Sequence, residues 1–174
     1  MTDIDQTRID RRRTMDQLTG LLNREGWEGH APAFLEAADE TRVPVCLLLL
    51  DLDDFGLINA RQGVGEGDRV LKGVASLWRS HIRQSDAIAR VGPDEFAVLL
   101  VGCSLEAASA VARRLCSLLD VEILSASVGG AEWNGSETPA ELLARAEGAL
   151  HHAKNASGDR ISIASDVPMS TTTT

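Results

Sequence analysis

Residues Val43 to Leu50 form an apolar run that ends abruptly in Asp51-Leu52-Asp53-Asp54. An amphipathic helix would break such a run every few residues, and a half-buried strand would alternate. A continuous run of this length suits a central strand covered on both faces, so the chain must supply layers on either side of it. The run is too short to cross a bilayer and contains Pro44. The polar, mixed-charge stretch 1–13 does not read as a secretory signal, so a cytoplasmic chain with no membrane segment is expected.

Around the run, helical and strand-like patterns alternate. Asn23 to Thr41 carries Trp27, Phe34, Leu35 and Ala38 at helical spacing, and Gly67 to Arg83 carries a second apolar stripe. Ala87 to Val91 and Phe96 to Val101 are short strand-like runs joined by Gly92-Pro93-Asp94-Glu95, which reads as a hairpin and suits a type I turn with proline second. Ser104 to Leu119 is a helix capped by Ser104, and Ile123 to Ala131 is a strand. Thr138 to Asn155 is a helix opening with Pro139, and Arg160 to Ala164 is a last strand. The expected class is α+β, a central, largely antiparallel sheet flanked by helices. Residues 1–15 read as a lead-in helix or linker, 16–165 as the domain, and 166–174 as a disordered tail. Aromatic residues are only 3% and tyrosine is absent, so the core rests on Leu, Val, Ile and Ala. Cys46, Cys103 and Cys116 are widely spaced among apolar neighbours and read as buried free thiols.

The charge balance narrows the partners. Against 26 acidic residues stand 17 basic ones, a formal net charge of −9, which excludes a generic nucleic-acid surface. An anionic ligand must be held locally, by a metal ion, a backbone cradle or a few aimed cations. Asp51 ends the apolar run, Asp53 shares its face if the strand persists, and Asp94-Glu95 sits at the hairpin tip. If the hairpin lies beside the run, Asp51, Asp94 and Glu95 converge at one sheet edge. Crowded carboxylates repel, and a divalent cation relieves them; hard Mg²⁺ accepts one or two carboxylates plus phosphate oxygens. Gly63, Gly65 and Gly67 before a helix could let backbone N–H groups approach an anion, though there is no Walker lysine.

Taken together, these motifs resemble the GGDEF family, the diguanylate cyclase domains. Asp16-Gln17-Leu18-Thr19-Gly20-Leu21-Leu22-Asn23-Arg24 matches D-x-L-T-G-L-x-N-R, and Asp51 to Phe55 with Ile58-Asn59 matches D-[IL]-D-x-F-K-x-[IV]-N but for Gly56. Gly67-Asp68-x-x-Leu71, Arg90-Val91-Gly92-Pro93-Asp94-Glu95-Phe96, Ser127-Val128-Gly129 and Ala146 to Lys154 follow in the family's order. The resemblance covers roughly residues 14 to 163. It implies a fold like the adenylyl cyclase and polymerase palm. It also implies a homodimer in which the 3′-hydroxyl of one GTP attacks the α-phosphate of the other, yielding cyclic di-GMP and pyrophosphate.

Carried over, Asp51, Glu95 and Asp94 are the catalytic set. Asp51, Glu95, Asp94 and the Leu52 carbonyl hold metal, two Mg²⁺ or Mn²⁺ per half-site. Asn59 and Asp68 read guanine, Lys154 meets the terminal phosphates, and Gly92 lets the nucleotide approach. Arg83-Gln84-Ser85-Asp86 has the family's R-x-x-D spacing for an inhibitory product site, with Arg114 a further candidate. The expected partners are GTP, cyclic di-GMP, a second copy of the chain and an upstream sensor domain. Several positions depart from the family. Pro93 replaces the signature's second glycine, Gly56 a lysine and Val64 a histidine, and the exit from the last helix lacks one basic residue. Proline fixes φ and deletes an N–H. The alternative reading is a catalytically weak or inactive GGDEF domain serving as a receptor for cyclic di-GMP or GTP.

Overall fold

The computed structural model describes residues 13–119, 124–156 and 160–164. Residues 1–12 of the expected lead-in, the tail 166–174 and Ile123, where a strand was expected to begin, lie outside the described residues. The elements are α1 (Arg24–Thr41), β1 (Val45–Leu52), α2 (Phe55–Gln62), α3 (Val64–Ser80), β2 (Ala87–Arg90), β3 (Glu95–Val101), α4 (Leu105–Ser117), β4 (Ala126–Glu132), α5 (Pro139–Asn155) and β5 (Ile161–Ala164). The five strands form one sheet in the order β2-β3-β1-β4-β5. All pairs are antiparallel except β4 with β5, which is parallel.

The apolar run from Val45 onward is the middle strand, which continues to Leu52 and is buried along its whole length, while Val43 and Pro44 precede it. Its odd residues Val45, Leu47 and Leu49 pack with Trp27 and Leu35 of α1 and with Leu142, Ala146 and Leu150 of α5. Its even residues Cys46, Leu48, Leu50 and Leu52 pack with Phe55 and Ile58 of α2, Leu71 and Trp78 of α3, and Leu115 of α4. That alternation makes a three-layer α–β–α molecule and assigns each residue after the run to a layer. Asp51, an odd residue, belongs to the face that α5 covers. In the opposite layer Trp78 donates its indole N–H to the Leu115 carbonyl at 3.0 Å. It also meets Phe96 edge-on at 5.1 Å, a pair worth about 1 kcal/mol beyond its buried area.

Local chemistry sets the helix ends. Asn23 caps α1 by accepting from Gly26 N–H, and Ser104 caps α4 by accepting from Ala107 N–H. Thr138 and Glu141 form a reciprocal capping box at α5, with Pro139 in its first turn. Two expectations need correction. The segment 55–62 is a helix, and α3 begins at Val64, so Gly65 and Gly67 lie inside α3 rather than in an anion-cradling loop. Only Gly63 sits at a junction, with φ +85°. Moreover, Asp51 does not lie at a sheet edge; it lies near the end of the central strand, flanked by β3 and β4.

Candidate active site

β1 and β3 pair with Asp51 directly opposite Glu95, so the two carboxylates leave the sheet on the same face. On the other side of Asp51 the register places Ser127 of β4. One residue on, Leu52 N–H donates to the Asp94 carbonyl at 3.1 Å, tying the end of β1 to the hairpin tip. From α5, Lys154 reaches Asp51 with Nζ 2.7 Å from Oδ2. Asp51 is nearly buried, at 11% side-chain exposure, while Lys154 is 42% exposed. The lysine therefore supplies the counter-charge that a nearly buried carboxylate requires.

The hairpin tip is built without left-handed backbone. None of Gly92, Pro93, Asp94 or Glu95 has positive φ, and the Val91 and Gly92 N–H groups both donate to the Glu95 carbonyl, at 2.9 and 3.2 Å. Gly92 instead leaves room for the Glu95 carboxylate, which a side chain there would displace. A Cβ there would lie 2.2 Å from Glu95 Oε2. Arg90 donates to the Pro93 carbonyl at 2.6 Å and to both oxygens of Asp16 at 3.3 Å, and Arg24 donates to the Val91 carbonyl at 3.0 Å. The turn 16–24 thus props the hairpin from below. Burial alone would raise the Asp16 carboxyl, but the Thr19 hydroxyl and N–H and the Arg90 guanidinium outweigh it and hold it below the ordinary range.

Asn59 and Asp68 come from α2 and α3. Asn59 Oδ1 is buried with no hydrogen-bond partner, and a Cβ on Gly67, the neighbour of Asp68, would lie 1.9 Å from it. Gly67 therefore keeps open the space beside an unsatisfied amide oxygen. At the far end of β3, roughly 20 Å from Glu95 at strand rise, Arg83, Asp86 and Arg114 line one cavity of about 400 Å³. Asp86 is buried and accepts from the backbone N–H groups of Arg83 and Val101, at 2.9 and 3.2 Å. Arg114 is bound to the His81 carbonyl at 2.7 Å. Among the described residues the Arg83 guanidinium has no hydrogen-bond partner, which leaves its planar fork available.

The family description "Diguanylate cyclase, GGDEF domain" matches residues 13–160. The chain belongs to the GGDEF family. An uncharacterized Bacillus subtilis protein, YhcK, is 35% identical over 158 residues, covering 84% of this chain and 44% of that one. The Pseudomonas aeruginosa diguanylate cyclase DgcP is 34% identical over 158 residues, covering 86% of this chain and 24% of that one. The chain spans less than half the length of these curated relatives. The crystal structure of the coiled coil and GGDEF domain of DgcB from Caulobacter crescentus, in complex with c-di-GMP, superposes with a TM-score of 0.85. It is 24% identical, with 92% of this chain and 91% of that one covered, which carries the fold. Among the described residues no helix is long and apolar enough to cross a membrane.

The donor set of this GGDEF domain suits an ion that arrives with phosphates. Among the described residues no three carboxylates, imidazoles or thiols stand close enough to share an ion, so the expected cluster of Asp51, Asp94 and Glu95 is not assembled as a cage. Mg²⁺ bound through phosphates needs only one or two carboxylates, and Asp51 facing Glu95 is a pair that could serve it. Asp94 does not join them in a cluster, but it feels the Asp51 charge. Its carboxyl is raised first by burial and then by the Asp51 charge, against its own backbone N–H, Lys154 and Arg90.

A carboxyl raised on folding favours the folded state most below its unfolded value and loses that contribution as pH climbs through the raised one. Asp94→Asn carries no such loss. It is expected to melt higher than the parent at neutral pH, with the gain shrinking toward acid. Melts from about pH 4 to about pH 8 check this; a gap that is constant with pH would refute it.

Sequence reasoning assigned no role to Asp16, Arg24 or Arg90, although all three stand in the matched motifs. Their function as hairpin props depends on residues 67 and 74 positions apart, which no local pattern connects.

Proposed function

We propose that the chain is a Mg²⁺-dependent diguanylate cyclase: two protomers each hold one GTP, and each 3′-hydroxyl attacks the partner nucleotide's α-phosphate, releasing pyrophosphate and forming cyclic di-GMP. The observation that carries the reading is the cross-strand pair Asp51–Glu95 with Lys154 beside it, in a GGDEF fold. When bound, Mg²⁺ would neutralise the triphosphate and polarise the α-phosphate. Asp51, Glu95 and the Leu52 carbonyl would be its protein ligands, and Asp94 would assist metal binding or activate the attacking hydroxyl. Lys154, freed from Asp51, pairs with terminal phosphate oxygens. Asn59 and Asp68 bind the guanine edge, for which the unsatisfied Asn59 oxygen is the support. The cavity at Arg83, Asp86 and Arg114 is the proposed inhibitory site for the product, with Asp86 fixing the loop from which Arg83 projects.

Incubating the pure chain with GTP and Mg²⁺ and assaying for cyclic dinucleotide tests the proposal. Formation of cyclic di-GMP, falling steeply on dilution because two protomers are needed, supports it. No product, together with cyclic di-GMP binding that Arg83→Ala abolishes, would replace it by the receptor reading. The observation favouring that second reading is Pro93, which offers a substrate no N–H, and whose carbonyl is already engaged by Arg90. Pro93→Gly restores the donor. A hydrogen bond to a charged phosphate is worth about 1.5 kcal/mol or more, so turnover is expected to rise roughly tenfold. An unchanged rate would place the limitation at the lost basic residues of the family pattern, such as the lysine that the exposed Gly56 replaces.

A further inference from the structure

Asp53 lies two residues from Asp51, yet its carboxylate is occupied from three directions. Oδ1 accepts from Ser127 Oγ at 2.8 Å, and Oδ2 accepts from Ser125 Oγ at 2.8 Å and from the Arg160 guanidinium. Arg160 also donates to Ser125 Oγ, and its carbonyl accepts from Val128 N–H at 2.8 Å. The Asp53 backbone N–H donates to the Ser125 carbonyl at 2.9 Å. The exit of β1, the start of β4 and the start of β5 therefore meet on one carboxylate. It is 16% exposed, and it lines a cavity of about 510 Å³ together with Asp51, Ser127, Lys154 and Arg160.

We infer that Asp53 and Arg160 are positioning residues for the metal–nucleotide site proposed above, an inference that rests on that proposal. Arg160 neutralises Asp53 and withholds it from the ion, while the clamp fixes the strand end from which Asp51 projects. Without Arg160, two carboxylates two residues apart on one face would have only Lys154 to offset them and would draw a dication onto the protein alone. Such an ion would compete with the one that must arrive on the triphosphate. A guanidinium suits the task because it stays charged at every working pH, and one of its nitrogens meets the Asp53 carboxylate and the Ser125 hydroxyl together. With Asp53 spent in this way, the donor pair is Asp51 with Glu95, and phosphate oxygens complete the shell.

The test uses the full chain, with free Mn²⁺ measured by electron paramagnetic resonance. The probes are Mn²⁺ alone and Mn²⁺ with 3′-deoxy-GTP, which lacks the reacting hydroxyl. Arg160→Met is expected to bind Mn²⁺ alone roughly tenfold tighter than the parent, because Asp53 becomes a ligand. Adding Asp53→Asn should reverse that gain, and Arg160→Lys, which keeps the charge, should bind Mn²⁺ alone as the parent does. Asp53→Asn by itself should weaken binding of Mn²⁺ with 3′-deoxy-GTP severalfold, since Arg160 is then free to turn on Asp51. A purely structural clamp would loosen binding in every variant and never tighten it. Unchanged or weaker Mn²⁺ binding by Arg160→Met, or a gain that survives Asp53→Asn, overturns the inference alone. A parent that binds no Mn²⁺ even with 3′-deoxy-GTP overturns the proposed function as well.

Discussion

Replacing Glu95 with glutamine is expected to suppress cyclic dinucleotide formation by roughly a thousandfold or more, about 4 kcal/mol of transition-state stabilisation. The substitution keeps the side chain's shape and its place over Gly92, where a Cβ would sit 2.2 Å from Oε2. It removes one of the two carboxylates that β1 and β3 set face to face. The turn itself is untouched, because it closes on the Glu95 backbone carbonyl, which accepts from Val91 and Gly92. Stability should therefore stay within about 0.5 kcal/mol of the parent, as for other partly exposed positions. A product assay and a thermal melt on the same preparation separate the two effects. A variant that turns over GTP at the parental rate would remove Glu95 from the reaction and leave the proposed metal pair without its second member.

The parts of this molecule that the sequence made legible are those where one local segment carries its own instruction. β1 announced itself because a strand covered on both faces has no polar residue to interrupt it, and α5 because Pro139 suits a first helical turn. That Asp51 would approach Glu95 was legible only on the condition that the hairpin lay beside β1, because the apolar run ends in one acid and the hairpin tip in the other. α2 was missed because it is eight residues long, buries only Phe55 and Ile58, and begins after Asp54 in left-handed backbone with no side-chain cap. Its glycine-rich exit read as a loop, whereas Gly67 serves the packing of Asn59. The Asp53 clamp was invisible for another reason. Its donors stand 72, 74 and 107 residues away, and Ser and Arg at those distances form no pattern until the sheet brings β4 and β5 beside β1.

Gly129 should prove the least replaceable residue outside the carboxylates. It pairs with Leu49 in the sheet and so faces α5, and α5 lies directly on it. A Cβ there would be 2.1 Å from Leu150 N, 2.3 Å from the Ala146 carbonyl oxygen and 2.5 Å from Leu150 Cα. These are helix backbone atoms, which cannot rotate aside as a side chain would, so α5 must lift as a body. Gly129→Ala is expected to cost about 3 kcal/mol or more, at the upper end for overpacking. That corresponds to a fall of roughly 10 °C in melting temperature for a chain of this size. Because α5 carries Lys154 to Asp51, the same displacement removes the site's counter-charge, and nucleotide binding should weaken beyond what the lost stability explains.

The neighbouring Gly130 supplies the control. It pairs with Leu48 on the opposite face, where a Cβ would meet Leu48 Cδ2 at 2.8 Å and Ile163 at 3.4 Å. Both are side-chain atoms able to give, so Gly130→Ala should cost only about 1 kcal/mol. Denaturant melts of the two variants decide the matter. Equal costs would mean that α5 is free to shift on β4, and that Lys154 is not held in place by the packing of its helix.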